Sequence, residues 1–134
     1  MDLITVTHKE GLEFAIRVRG HEVTCDMSAK DGGRDAGLSP VELLAGALGA
    51  CIAMMVQRYC ESHGYAQGGV AASLTVEMVD DPKRVRNIVV DLEVPGDIPE
   101  NRKEAIRRMV QYCPVHATLK NPPEVDLDVV VSTE

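Results

Sequence analysis

The chain has 134 residues, of which 45% are hydrophobic and 3% aromatic, and its formal net charge is −7. That length suits a single domain, residues 1–134, around one modest and mainly aliphatic core. The acidic balance argues against nucleic acid as a partner, because phosphate binding calls for a basic patch.

The first ten residues, MDLITVTHKE, lack a basic segment followed by a long apolar run. No signal peptide is expected, and a cytoplasmic location follows. Leu3 to Thr7 suits a first strand. Leu12, Phe14, Ile16 and Val18 then alternate with Glu13, Ala15, Arg17 and Arg19, the period of a half-buried strand. Gly20-His21 suits a tight turn. Val23, Cys25 and Met27 alternate with polar residues and give a third strand, with Cys25 on its apolar face. A glycine-rich polar loop, residues 30–38, follows.

Ser39 to Gly64, SPVELLAGALGACIAMMVQRYCESHG, is the stretch around which the rest is arranged. Ser39, Pro40 and Glu42 form a capping-box start, and Gly64 supplies the stop. The 15 residues from Leu43 to Gln57 carry no charge, fewer than the roughly 20 apolar residues of a membrane span. A helix apolar or small nearly all round is expected to be buried nearly all round. Cys51 lies at its middle.

Gln67-Gly68-Gly69 links to a hairpin. Its first strand carries Leu74, Val76 and Met78, its turn is Asp80-Asp81-Pro82-Lys83, and its return strand carries Ile88, Val90, Leu92 and Val94 before Pro95-Gly96. Ala105, Ile106, Met109 and Val110 mark a second helix from about Pro99 to Tyr112, broken at Cys113-Pro114. A short helix runs from Pro114 through Leu119, and Asn121-Pro122-Pro123 ends it. Val125, Leu127, Val129 and Val131 suit a last strand. The order β-β-β-α-β-β-α-β with short turns implies an α+β fold with antiparallel sheets. A single sheet face covers only one side of the long helix, so a two-fold homodimer with paired central helices is expected.

The four cysteines, Cys25, Cys51, Cys60 and Cys113, show no C-x-x-C spacing, and no metal site is expected. Cys60 is nine residues beyond Cys51, about 900° around a helix and so half a turn off its face. It is read as incidental, near the wet end of the helix. Cys25 is read as a small core residue. Cys51, in mid-helix, gains nothing from the helix dipole; a reactive thiolate there needs a neighbouring cation. Cys113, before Pro114, sits where a short helix's N-terminus favours a thiolate or where a cap is merely structural.

Tyr112-Cys113-Pro114-Val115-His116-Ala117-Thr118-Leu119, taken with the Ser-Pro-x-Glu-Leu-Leu-Ala-Gly-Ala-Leu-Gly-Ala-Cys run ending at Cys51, resembles the OsmC/Ohr family of osmotically inducible and organic hydroperoxide resistance proteins, over nearly the whole chain. The resemblance implies an OsmC-like fold, with antiparallel sheets wrapped around a long central helix in an intertwined homodimer. It implies that Cys51 attacks a peroxide and that Cys113 resolves it through a Cys51–Cys113 disulfide. It further implies an organic hydroperoxide substrate, a dithiol reductant (lipoyl-type or thioredoxin-like), and no metal, haem or other cofactor.

The peroxidase members of that family also use an arginine from an early strand and a glutamate beside it. Arg17 is the first choice here, being deeper in its strand, with Arg19 and Arg34 as alternatives. The family's glutamate directly follows the proline, where this chain has Val41; Glu42 comes one residue later, a rotation of about 100°, and has a sufficient local role in the capping box. This pattern resembles the OsmC-like branch of the family. His116, about one turn from Cys113, either tunes that thiol or is a partly exposed helix residue. A non-catalytic dimer that binds a small apolar ligand or senses redox state is the competing reading. A cysteine hydrolase is disfavoured, since His63 is the only base on the long helix and lies late on it.

Overall fold

The computed structural model describes residues 1–65, 69–94 and 98–132. The expected link at residues 67–68 and the expected strand end at 95–96 lie outside them. The chain divides into two compact units, Met1–Ala50 with Ala72–Leu92 and Cys51–Ala71 with Glu93–Glu134. One long helix, α1 (Pro40–Ser62), gives its first turns to one unit and its last to the other.

The first unit contains β1 (Thr5–Glu10), β2 (Glu13–Val18) and β3 (His21–Cys25), paired antiparallel in that order. Val18 pairs with His21, so the loop between β2 and β3 is Arg19-Gly20, one residue earlier than expected. Both loop residues have positive φ, 51° and 80°, which a two-residue turn of this handedness requires. Arg19 is therefore a turn residue rather than a strand residue. A second antiparallel sheet is the hairpin of β4 (Ala71–Val79) and β5 (Arg84–Glu93), with Arg86 donating to Glu77 across it at 2.7 Å. Gly49 lies against this hairpin: a Cβ there would meet Leu74 Cδ1 at 2.5 Å.

Asp26, 2% exposed, organises the loop between β3 and α1. Its carboxylate accepts the backbone N–H groups of Met27 at 2.7 Å, Arg34 at 3.2 Å and Ala36 at 3.1 Å. Burial pushes its pKa up, but these three bonds and the charge of Arg34 more than offset that, and the net displacement is downward. Glycine is needed at 33 and 37, where a Cβ would collide with the backbone of Met27 and Thr24.

Both ends of α1 follow from its sequence. Ser39 N donates to Glu42 Oε1 at 2.8 Å and Glu42 N to Ser39 Oγ at 3.3 Å, a closed capping box. At the other end Gly64 has φ 72°. Tyr65 N reaches Cys60 O and Gly64 N reaches Glu61 O, the paired bonds of a Schellman stop. Leu48, Ile52, Val56 and Cys60, at a spacing of four, are 4%, 5%, 0% and 0% exposed. Cys60 is thus a core residue, correcting its placement at a wet helix end. The helix is not buried all round, however. It is long and apolar enough to cross a membrane by length and composition, yet only 22% of its most apolar window is buried. One chain supplies cover for one stripe, so the opposite side stays bare.

The second unit holds α2 (Lys103–Met109), flanked by single 3₁₀ turns at Glu100–Arg102 and Val110–Tyr112, and α3 (Pro114–Lys120). Ile106 anchors α2, 4% exposed. The expected last strand does not form: Val125, Leu127, Val129 and Val131 are 76–87% exposed and unpaired among the described residues. The alternation of a strand is present, but it meets no strand edge to pair with.

Candidate functional site

Cys51 and Cys113 are joined by a disulfide, with Cα atoms 6.1 Å apart across a sequence separation of 62 residues. That spacing falls within the roughly 4.4–6.8 Å a disulfide needs. Cys51 is brought there by the middle of α1 and Cys113 by the chain break before Pro114. Cys113 is fully buried and caps α3 with its carbonyl, which accepts the N–H of Ala117 at 2.8 Å; its side chain makes no cap. Pro114 fits there because the first helical residue needs no donor. His116 is half-buried, its Nδ1 3.5 Å from Val110 O.

A cavity of about 380 Å³ opens at Cys51. Met54 and Met55 of α1 and Met109 of α2 give it apolar walls, and Arg58, Tyr59 and Ser62 give it a polar end. This size suits a small organic molecule. Arg58 was not among the sequence candidates, yet seven residues beyond Cys51 is about 700° on a helix, almost two full turns. The spacing was the available signal.

The other candidates have defined partners. Arg17 Nε donates to Glu22 Oε1 at 2.6 Å, and through that bond and its charge holds the Glu22 carboxyl below its ordinary range. Glu42 is engaged by the cap of α1. Arg34 pairs with Glu10 at 3.0 Å and Glu13 at 2.8 Å, and the carboxylates push its pKa up. Cys25 is buried as expected. It lines a second, more apolar cavity of about 660 Å³ in the first unit, with Phe14, Ile16, Leu43 and Leu44 among the other walls. Among the described residues no three His, Cys, Asp or Glu side chains gather as a metal site.

A disulfide-linked cysteine pair on an α+β scaffold opens on an apolar cavity. The chain belongs to the OsmC-like protein family, whose sequence profile matches residues 29–128. That family is related to hydroperoxide resistance and redox proteins. Comparison with curated proteins gives no sequence match. Among solved structures, the fold is shared with an OsmC-like protein from Mycoplasma pneumoniae (TM-score 0.76, 19% identity, covering 91% of this chain and 89% of that one). It is shared also with an organic hydroperoxide resistance protein OsmC from Legionella pneumophila (0.65, 15%, 90% and 89%). The organic hydroperoxide resistance protein OhrB of Bacillus subtilis is a third (0.57, 17%, 89% and 92%).

Proposed function

We propose that the protein is a two-cysteine, thiol-dependent peroxidase for organic hydroperoxides, acting in oxidative-stress defence as a cytoplasmic homodimer. The observation that carries this reading is the Cys51–Cys113 disulfide at an apolar cavity. In the reduced protein, the Cys51 thiolate attacks the terminal peroxide oxygen. The O–O bond breaks, Cys51 becomes a sulfenic acid, and the alkoxide leaves as an alcohol after taking a proton. The Cys113 thiol then attacks the sulfenic sulfur, water leaves, and the disulfide forms. A dithiol reductant exchanges with that disulfide and restores both thiols. Arg17 would supply the cation that favours the Cys51 thiolate and Glu42 the acid that orients it, each giving up its present partner. The methionine walls favour an organic peroxide over hydrogen peroxide.

Homodimer formation is supported by the bare side of α1, where Gly46, Ala47 and Ala50 are exposed. The test of function is one equivalent of organic hydroperoxide added to reduced protein, followed by peptide mass spectrometry. A new Cys51–Cys113 linkage with stoichiometric alcohol supports the reading; unreacted peroxide overturns it.

The second reading, a non-catalytic dimer that holds a small apolar ligand or senses redox state, is favoured by the larger cavity beside Cys25 and by the engagement of Glu42 in the helix cap. It expects the Cys51 thiol to titrate at or above about 8.5, the ordinary thiol value. The peroxidase reading expects half-maximal alkylation well below that pH.

A further inference from the structure

The cavity at Cys51 is apolar along its length and cationic at one end. Cys51, Met55, Arg58 and Ser62 follow one another at three or four residues, so they share one face of α1. Arg58 lies two turns beyond Cys51 along the helix, a rise of about 10 Å, and lines the same cavity. Arg17, Arg34, Arg86 and Arg107 each face a carboxylate. Arg58 makes no ion pair among the described residues, and neither do Arg19, Arg84, Arg102 and Arg108, but of these Arg58 is the one that lines the cavity at Cys51. Next to it, Tyr59 lines the same cavity and carries a buried hydroxyl with no hydrogen-bond partner among the described residues. Such a hydroxyl is normally satisfied. In a chain of net charge −7, an unpaired guanidinium at the end of an apolar cleft is a local reversal of sign.

We infer that Arg58 is the specificity-determining residue for the carboxylate of an amphipathic acyl hydroperoxide. The carboxylate pairs with the guanidinium, and the acyl chain lies along Met54, Met55 and Met109 with its peroxide at Cys51. A guanidinium is suited to this task because its fork matches the two oxygens of a carboxylate. The inference deepens the peroxidase reading and rests on it for the peroxide end of the ligand; the carboxylate end is testable by itself.

The experiment compares a fatty-acid hydroperoxide with its methyl ester, the same chain without the charge, using the full-length protein and a dithiol. Wild type is expected to favour the acid by about tenfold in kcat/KM, the worth of one charge-assisted pair. Arg58→Gln is expected to erase that ratio, and Arg58→Lys to keep part of it. The wild-type ratio should also shrink in high salt. No preference in wild type overturns the proposal. So does an equal loss on both substrates in R58Q, which would mean that the charge serves the thiolate. Should wild type turn over neither peroxide, the peroxidase reading fails. Calorimetry with the peroxide-free fatty acid on the oxidised protein then decides the Arg58 site: about tenfold weaker binding in R58Q supports it, and equal binding overturns it.

Discussion

Cys113 sits at the cap of α3 with its side chain making no cap bond, and its sulfur is joined instead to Cys51 in the middle of α1. The backbone carbonyl caps the helix while the side chain is left to the disulfide. This separation predicts how the two thiols differ under oxidation. In Cys113→Ser, Cys51 has no partner to condense with, and repeated peroxide should drive it to the sulfinic state, seen by mass spectrometry as a gain of two oxygen atoms on its peptide. Cys51→Ser should lose peroxide consumption entirely and leave Cys113 unoxidised at the same dose. Oxidation of Cys113 in that variant at the wild-type rate would reverse the assigned roles.

Stability is expected to depend on redox state as well. The crosslink closes a loop of 62 residues, worth about 4 kcal/mol on a chain-entropy account. Reduced protein should therefore melt several degrees below oxidised protein. The Cys51→Ser variant should match the reduced wild type and ignore added dithiol. Equal melting temperatures in both redox states would show that the crosslink's effect on the unfolded chain is cancelled by a cost in the folded state.

Asp26 predicts an acid limit. Its pKa is displaced downward from 3.8 in the folded protein, so the folded state binds that proton less readily than the unfolded chain does. The stabilisation is fully present above pH ~4, near the unfolded value, and is lost as pH falls through the folded value. Asp26→Asn removes the charge while keeping an acceptor for only some of the three N–H groups. It should lower the melting temperature at pH 7 and flatten the fall in stability below pH 4. A variant as stable as wild type at neutral pH would show that the loop does not need the carboxylate.

What the sequence disclosed and what it hid divide along physical lines. The capping box, the Gly64 stop, the β-hairpins and the short helix after Pro114 are local, and each was legible from a few adjacent residues. Asp26 was hidden because it follows β3 directly and continues that stretch's alternation of polar residues, and its partners return from residues 34 and 36 through a loop with no regular period. Cys60 was misplaced because position near a helix end says little about depth; the stripe from Leu48 through Ile52 and Val56 was the better guide. Arg58 was hidden by the same habit. The strand expected at Val125 to Val131 failed because alternation specifies a pleat but cannot supply an edge.

Glu42 separates local duty from chemistry. Glu42→Gln retains a carbonyl oxygen for the Ser39 N–H, so the helix start should survive within a few tenths of a kcal/mol, whereas Ser39→Ala should cost about 1 kcal/mol. If Glu42 also orients the arginine that serves Cys51, the glutamine variant should consume organic hydroperoxide about tenfold more slowly with its melting temperature preserved. Arg17→Gln should slow it similarly and raise the pH at which Cys51 is half alkylated. Unchanged activity in Glu42→Gln would confine the residue to the cap and leave the cation to be sought elsewhere.

The bare side of α1 makes the last prediction. Gly46, Ala47 and Ala50 are exposed in a single chain, small and uncharged. On a solitary helix a surface change at such a position is nearly neutral, within about 0.5 kcal/mol, and glutamate is itself a good helix former. If α1 packs against its counterpart in a second copy, the small residues are what let the backbones approach, and Ala50→Glu would place two unpaired charges in an apolar interface. Wild-type protein at micromolar concentration should scatter light as a dimer. Ala50→Glu should scatter as a monomer, melt at lower temperature and bind more of a hydrophobic dye. A monomeric wild type, or an Ala50→Glu variant as stable and as dimeric as its parent, would remove this face from the interface, because a charge that costs nothing has not been taken out of water.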